Sequence, residues 1–315
     1  MASNPLKLGK NALNIVKPLT KPNENMTTKP IISGNKLAMN GVRDVFTGAD
    51  TSAPEFPLRI TEKILRMAYE WQYANAVKQL KDNFDYLDNA VPPGMLLNPM
   101  RYGNGKIDRL DLSAAARNEN LSQELRDACQ FFIDNPDAFE RLATSGDGDK
   151  TIISKRDVNT PICIKGVAYK GGKQLDEPVD LVTIGYGLRM EREAAAAYNA
   201  MVAAARKDGV ILKPNSGYRT HEEQEKLYKK DKTKAERPGH STHQAGIAVD
   251  IQLNPTKRNN LKSSEEYKWL CKNAAEHGFI PSELARDEPY HWIYVGKEEA
   301  KEWFADKNNQ KQLNK

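Results

Sequence analysis

The sequence predicts an α+β protein whose first half is helical and whose second half combines helices with a small antiparallel sheet. The first observation is a helical period from Leu58 to Leu87, where apolar residues recur every three or four positions. The second is the change after Pro161, where β-prone segments with glycine breaks alternate with short helices. Hydrophobic residues make up 39% of the 315 residues, which is enough for a core. No apolar run is long enough to span a membrane.

Composition divides the chain into four predicted parts. Residues 1–50 are predicted to be a flexible basic arm, because 1–43 hold seven basic residues and one acid among many Asn and Pro. Residues 51–160 form the helical domain, 161–305 the mixed domain, and 306–315 a basic tail. The net charge is +5, but the two ends carry a larger positive charge than this, so the remainder of the chain is slightly acidic. A nucleic-acid partner is excluded, because no basic patch with interleaved aromatic residues is present.

Two loops of the helical part share one pattern. The loops are residues 100–112 and 145–158. Each contains a turn rich in Gly, Asp or Asn, then an isoleucine, and then an aspartate at the start of a predicted helix. The pattern resembles a pair of EF-hand loops, in which alternating oxygen ligands hold calcium. The resemblance implies as calcium ligands Asp147, Asp149, Asp157, Asn104, Asp108 and Asp111. Met100 and Tyr102 stand where carboxylates belong, and the second loop has one extra residue. Two interpretations stay open: a degenerate EF-hand-like pair with a structural role, and a calcium site in at least one loop.

The mixed part follows in a regular order of predicted elements. The stretch 162–188 is β-prone, and the alanine-rich stretch 190–209 is a helix that ends at Gly209. The remaining predicted strands are 210–217, 247–253 and 291–296, and the remaining helices are 220–230, 264–278 and 297–304.

The five histidines suggest a metal site in this part. A catalytic zinc requires three nitrogen or oxygen ligands and one open position for water. His243 is followed by Gly246, which permits a turn, and by Asp250 in a predicted strand. His291 opens another strand, and Glu288 stands three residues before it. If the two strands are neighbours, His243, Asp250 and His291 converge, and Glu288 lies near the open position.

Three sequence motifs make the prediction of this metal site more specific. They are SGYR at 216–219, S-x-H-x-x-G-x-A-x-D at 241–250 and E-P-x-H-W at 288–292. In this order they resemble the VanY-like D-Ala-D-Ala carboxypeptidases, zinc peptidases related to lysostaphin-type enzymes and the sonic hedgehog fold. The resemblance covers roughly 179–303. Small departures from the family pattern are Thr242, where Glu is frequent, Ala245, where Thr is frequent, and Tyr290, where Trp is frequent.

The resemblance implies a role for each site residue. Zinc is expected on His243, Asp250 and His291, with Glu288 as general base and then acid. Arg219 is expected to polarise the scissile carbonyl or to hold the substrate. The predicted substrate-binding residues are Ser241, Gln224, Tyr218 and His240.

The resemblance implies peptidoglycan stem peptides as the substrate. Arg219, Ser241 and Gln224 favour a free terminal carboxylate, hence a D,D-carboxypeptidase. The alternatives are an L,D or L-Ala-D-Glu endopeptidase and, in another class, a wall-binding module without catalysis. Glu288, which is not needed to bind metal, argues against the last.

The N-terminal stretch has no apolar core of a secretory signal peptide. We therefore expect synthesis in the cytoplasm and action in the periplasm or cell wall of a bacterium after non-classical delivery. The expected settings are a phage lysis enzyme and an exported antibacterial toxin. The corresponding partners are a phage particle, a secretion machine or an immunity protein.

Overall fold

The computed structural model describes residues 58–90, 103–146, 148–256, 260–282 and 288–313. The predicted basic arm, residues 1–50, lies outside these residues. The helices in the described part are α1 Leu58–Asp82, α2 Phe84–Leu87, α3 Arg109–Ala116, α4 Gln123–Asp134, α5 Pro136–Ala143, α6 Lys155–Asn159, α7 Arg192–Lys207, α8 His221–Lys230, α9 Glu265–Asn273, α10 Lys297–Ala305 and α11 Lys307–Leu313. The strands in the described part are β1 Lys106–Ile107, β2 Ile153–Ser154, β3 Cys163–Gly166, β4 Tyr169–Lys170, β5 Lys173–Gln174, β6 Val179–Gly185, β7 Leu188–Glu191, β8 Pro214–Ser216, β9 Ala248–Ile251, β10 Phe279–Pro281 and β11 His291–Tyr294.

The helical part is built on one apolar face of α1. Its buried residues recur at helical spacing and pack on α4; they are Tyr73, Ala76, Val77 and Leu80. The single helix predicted over 58–87 is divided at Asn83, where α1 ends and α2 begins. A continuous buried cluster from Tyr73 to Val158 forms the core of this part.

The two similar loops lie side by side. Strands β1 and β2 pair antiparallel, with Ile107 opposite Ile153, and both isoleucines are fully buried. Each loop leads into a helix with a capping box, begun by Asp108 in the first loop and by Ser154 in the second. The repeated sequence pattern therefore corresponds to a repeated local structure.

The mixed part contains a four-stranded antiparallel sheet in the order β10-β11-β9-β8. A three-stranded antiparallel sheet, β3-β6-β7, and the hairpin β4-β5 lie before it in the chain. Helix α7 packs on β6 and β7, and a second buried cluster runs from Val182 to Trp292. The predicted mixture of helices with a small antiparallel sheet is confirmed for this part.

Several element ends differ from the sequence-based expectation. Helix α7 begins at Arg192 rather than 190, because Met190 and Glu191 pair with β6 as the end of β7. Residues 306–315, predicted as a basic tail, contain helix α11, and Leu313 at its end is only 6% exposed. One apolar residue, Leu313, among polar neighbours shows no helical periodicity, so the sequence did not predict this helix.

Ion pairs and hydrogen bonds join the helical part to the mixed part. Arg141 of α5 makes two parallel hydrogen bonds to Glu70 of α1, at 2.9 and 2.8 Å. Asn199 of α7 donates to the same Glu70 carboxylate at 3.1 Å. Arg206 of α7 pairs with Asp137 and Glu140 of α5. The contact is polar and spans all three helices.

No helix in the described part of the chain combines the length and the apolar character needed to cross a lipid bilayer.

Candidate metal centre

His243, Asp250 and His291 come together because of one strand register. Strands β9 and β11 pair antiparallel with Asp250 directly opposite His291, so both side chains lie on the same face of the sheet. His243 reaches this face from the loop before β9. Gly246, with a φ of 76°, allows that loop to turn back, and its N–H donates to the His243 carbonyl at 3.1 Å.

The three side chains present their ligand atoms to one another at close range. His291 Nδ1 lies 2.8 Å from Asp250 Oδ1, and His243 Nε2 lies 3.3 Å from the same oxygen. His243 Nε2 and His291 Nδ1 are 3.2 Å apart. Ligands about 2.0–2.1 Å from a tetrahedral zinc stand about 3.3 Å from each other. The two spacings from His243 match that distance and the His291–Asp250 spacing is shorter, so these two imidazoles and one carboxylate form a donor set that fits a zinc ion. Within the residues that the structure describes, this is the one such cluster of His, Cys, Asp or Glu.

Hydrogen bonds on the far side of each imidazole orient it. His243 Nδ1 lies 2.7 Å from the Gly217 carbonyl oxygen. A carbonyl only accepts, so Nδ1 carries the proton and Nε2 offers its lone pair to the cluster. His291 Nε2 lies 3.1 Å from the Thr242 hydroxyl, which leaves Nδ1 facing Asp250. Burial tends to raise the pKa of Asp250, but its close contacts with the imidazoles of His243 and His291 outweigh burial and hold this pKa below its ordinary value.

Arg219 stands beside the cluster in a fixed position. Its Nη1 donates to Gln224 Oε1 at 2.7 Å, its Nη2 to Ser216 Oγ at 3.3 Å, and its backbone N–H to the His243 carbonyl at 3.1 Å. Burial lowers the pKa of Arg219, and the negative charges of Asp250 and Glu288, among others, oppose that shift. The guanidinium therefore remains a cation on which both carboxylates act electrostatically.

Glu288 lies in the turn that leads into β11. Its carbonyl accepts from the His291 backbone N–H at 3.0 Å, and its half-buried side chain acts electrostatically on Tyr290. Burial raises the pKa of Tyr290, and the charges of Glu288 and Asp250 raise it further. Tyr290 therefore stays a neutral donor next to the Glu288 carboxylate.

The structure gives the predicted substrate-binding residues different surroundings. Gln224 is 1% exposed, and its amide N–H donates to the Glu236 carbonyl at 2.7 Å while its oxygen accepts from Arg219. Both ends of this side chain are thus occupied, and it positions Arg219 instead of facing an open surface. Ser241 is also buried, at 4% exposed.

Tyr218 and His240 both contact the hairpin β4-β5 region. The Tyr218 hydroxyl donates to the Val167 carbonyl at 2.6 Å. His240 is exposed and lies against Gly172, where an added Cβ would stand 2.7 Å from its Nε2. Of the four predicted substrate-binding residues, His240 is the one with an exposed side chain.

Sequence reasoning missed the residues that orient the site. Thr242, Ser216 and the Gly217 carbonyl each hold a site residue by a hydrogen bond. Ser216 and Gly217 belong to the SGYR motif, and Thr242 is next to His243. The sequence therefore indicated that all three lie near the site. Which atom each would contact depends on the pairing of β8 with β9, and no local pattern specifies it.

In the loops predicted to bind calcium, most carboxylates hold the backbone. Asp157 accepts from Gly146 N, Ser154 N and Ser154 Oγ at 2.7–2.8 Å. Asp108 and Asp111 cap α3, Asp149 accepts from Thr151, and Asn104 is exposed. Asp147 lies outside the described residues. Calcium binding stays a prediction without support from this arrangement.

Comparisons with known proteins address the second half of the chain. Residues 187–297, which contain Arg219, Glu288 and the three candidate ligands, match the family model "VanY: D-alanyl-D-alanine carboxypeptidase". The chain is 33% identical over 135 residues to "Putative carboxypeptidase YodJ" of Bacillus subtilis (strain 168), with 36% of this chain and 48% of that protein covered. It is 32% identical over 148 residues to "D-alanyl-D-alanine carboxypeptidase" of Enterococcus faecalis (strain ATCC 700802 / V583), with 39% and 54% covered. The chain thus spans about half the length of these curated relatives.

Two solved structures are also similar to part of this chain. A mutant of the vancomycin resistance D,D-pentapeptidase VanY from a VanB-type resistance cassette, in complex with Zn(II), is 29% identical, with a TM-score of 0.34, covering 43% of this chain and 90% of that one. VanYB in complex with D-Alanine-D-Alanine is 26% identical, with a TM-score of 0.37, covering 47% and 96%. The family model and the two curated relatives support the resemblance of residues 187–297 to the VanY D-alanyl-D-alanine carboxypeptidase family.

Proposed function

We propose that this protein is a zinc-dependent peptidase that hydrolyses peptidoglycan stem peptides, with the D-Ala-D-Ala bond as its first target. The observation that carries the proposal is the convergence of His243 Nε2, Asp250 Oδ1 and His291 Nδ1 at spacings of 2.8–3.3 Å. Zinc held there supplies Lewis acidity, which lowers the pKa of a water molecule toward about 7 and polarises a carbonyl oxygen. The ligand spacing supports this choice of metal, and the family match and the curated relatives support the substrate class.

Glu288 is the proposed acid–base residue. It is a half-buried carboxylate three residues before a candidate metal ligand, and its charge acts on the neighbouring Tyr290. A carboxylate in this position takes a proton from the attacking water and returns it to the nitrogen of the leaving amine. Metal binding does not account for an acid here, since the three ligands are already present without it.

Arg219 is the proposed contact for a terminal carboxylate. A guanidinium has five N–H donors in a planar fork, and the bonds to Gln224 and Ser216 use two of them. The other donors have no side-chain acceptor within the described part of the chain, which leaves them for a substrate carboxylate or the scissile carbonyl oxygen. The first of these contacts is specific to a carboxypeptidase, whereas the second is shared with an endopeptidase.

Mass spectrometry of purified tri-, tetra- and pentapeptide muropeptides incubated with the zinc-loaded protein tests the proposal. Loss of one alanine from the pentapeptide alone is the expected result. Shortening of the tetrapeptide would indicate L,D cleavage, and release of the stem peptide at L-Ala-D-Glu would indicate the endopeptidase alternative. The E288Q variant should bind zinc and release no alanine.

The matched control is E302Q, which makes the same chemical change at an exposed glutamate of α10. It should cleave at the wild-type rate. Full activity in E288Q would contradict the assigned acid–base role. Zinc binding without any cleavage by the wild type would favour the wall-binding module instead.

The proposed place of action is the bacterial cell wall, where stem peptides occur. When the protein is directed to the periplasm of a bacterial host, the pentapeptide stems of the wall should lose their terminal alanine, and E288Q directed in the same way should leave them intact. Equal trimming by both variants would contradict the role of Glu288, and lysis by the wild type alone would favour the endopeptidase alternative. The phage and toxin settings share this outcome and are separated by whether a virion or a secretion machine carries the protein.

For the helical part we propose an EF-hand-like structural role, supported by the pairing of β1 with β2. Calcium binding is tested by chelation followed by zinc replenishment. A calcium site predicts a lower melting temperature after chelation; an unchanged melting temperature and activity would contradict it.

A further inference from the structure

Thr242 makes a side-chain contact to the candidate metal centre that neither motif spacing nor the comparisons assign to it. Its hydroxyl oxygen lies 3.1 Å from Nε2 of His291. The loop that carries Thr242 is fixed on both sides, because Ser241 before it and His243 after it are buried. The Thr242 carbonyl also accepts from the Ile247 backbone N–H at 3.3 Å.

The chemistry of imidazole gives this contact a direction. His291 turns Nδ1 toward Asp250 and His243, at 2.8 and 3.2 Å. A neutral imidazole carries one proton, so Nδ1 offers a lone pair to a metal only when the proton is on Nε2. The Nε2–H group then needs an acceptor, and His291 is only 9% exposed, so bulk water reaches it poorly. The Thr242 hydroxyl oxygen is the acceptor at hydrogen-bond distance.

His243 shows the same arrangement with a different acceptor. Its distal nitrogen, Nδ1, donates to the Gly217 carbonyl, while Nε2 faces the cluster. The two imidazoles thus present opposite ring nitrogens to the centre, and each has one oxygen acceptor behind it. A backbone carbonyl has no proton of its own, whereas a hydroxyl can rotate and can be removed by substitution.

We propose that Thr242 is a positioning residue for the metal ligand His291: its hydroxyl holds the imidazole in the Nε2–H form and in the orientation that aims Nδ1 at zinc. The proposal rests on the zinc site proposed above. Outer-shell acceptors of this kind change metal affinity by about 10–100-fold when they are removed. The role of Thr242 is to be distinguished from that of a catalytic residue, because it contacts the ligand and not the substrate.

Zinc affinity, measured by competition with a chromophoric chelator, tests the proposal. T242V has nearly the shape of threonine without the hydroxyl, and we expect it to bind zinc about 10–100-fold more weakly than the wild type. T242S restores the hydroxyl and should bind within about threefold of the wild type. H243A, which removes a ligand, serves as the reference for a lost site.

The melting temperature of the zinc-free variants separates this role from a structural one. A difference of more than about 4 °C between zinc-free T242V and wild type would correspond to roughly 1 kcal/mol or more of lost stability. T242A, which avoids the β-branched shape, would then replace T242V in the affinity comparison.

Three results would overturn the inference. They are wild-type affinity in both hydroxyl-free variants, a T242S variant as weak as T242V, and a wild type that binds no zinc. The last would overturn the proposed function as well. The first two would overturn the role of Thr242 alone and leave the zinc site in place.

Discussion

Removing the charge of Glu70 should destabilise the protein strongly. Arg141 is 5% exposed and its guanidinium lies over the Tyr73 ring at 3.9 Å, so E70Q leaves a buried cation with no opposite charge in its bidentate pair. Breaking a buried pair by removing one partner costs about 3–5 kcal/mol. Glu70 itself is 20% exposed, so water compensates in part, and we expect about 3 kcal/mol.

Urea unfolding followed by circular dichroism measures this change. The matched control is D85N, the same carboxylate-to-amide change in the pair between Asp85 and Lys155, whose side chains are 84% and 61% exposed. Water screens both charges there, so D85N should lose less than a third of what E70Q loses. Equal losses in the two variants would refute the assignment of the Glu70–Arg141 pair as a buried, stabilising one.

Three further predictions concern the loops and the metal centre. Burial raises the pKa of Asp111 to about 7, so the neutral form is favoured in the folded state and stability should fall as pH rises from about 4 to about 7. D111N should flatten this part of the unfolding profile, and an unchanged profile would contradict the raised pKa. Q224M should release Arg219 and lower kcat/KM about 10–100-fold with zinc affinity unchanged; a loss of zinc would point to wider damage. G217A should weaken zinc binding at least tenfold, because a Cβ would stand 2.5 Å from a backbone carbonyl oxygen and displace the acceptor of His243; wild-type affinity would show that this acceptor is dispensable.

The features that sequence reasoning could predict follow local rules. Helix α8 begins where Thr220 provides a cap, and α9 begins after Ser264 for the same reason. Alternation in β9 and β11 placed Asp250 and His291 on faces that can meet, and the register confirms that they do. Each of these features could be predicted because it depends on residues close together in the sequence or on a regular periodicity.

The remaining features depend on partners far apart in the sequence. Gln224 looked like a substrate contact, yet the carbonyl of Glu236 and the guanidinium of Arg219 occupy both ends of its amide. Glu70 and Arg141 are 71 residues apart and meet only once the helices have packed. No periodicity or motif encodes such pairs, because they are set by the packing of whole elements.

The turn between β6 and β7 ties the segment that matches the family model to the helices that precede it. Tyr186 adopts a left-handed backbone, with φ of 56°, which a non-glycine residue holds only when its surroundings impose it. Those surroundings come from α5 and its C-cap Thr144: the Thr144 hydroxyl and carbonyl accept from the N–H groups of Tyr186 and Gly187, and Glu140 of α5 accepts from the Tyr186 hydroxyl. The segment that matches the family model, 187–297, therefore begins directly after a residue whose conformation the preceding helices impose. The helices and the metal centre should then unfold in a single cooperative step, and a chain cut at the family boundary should not behave as an autonomous domain.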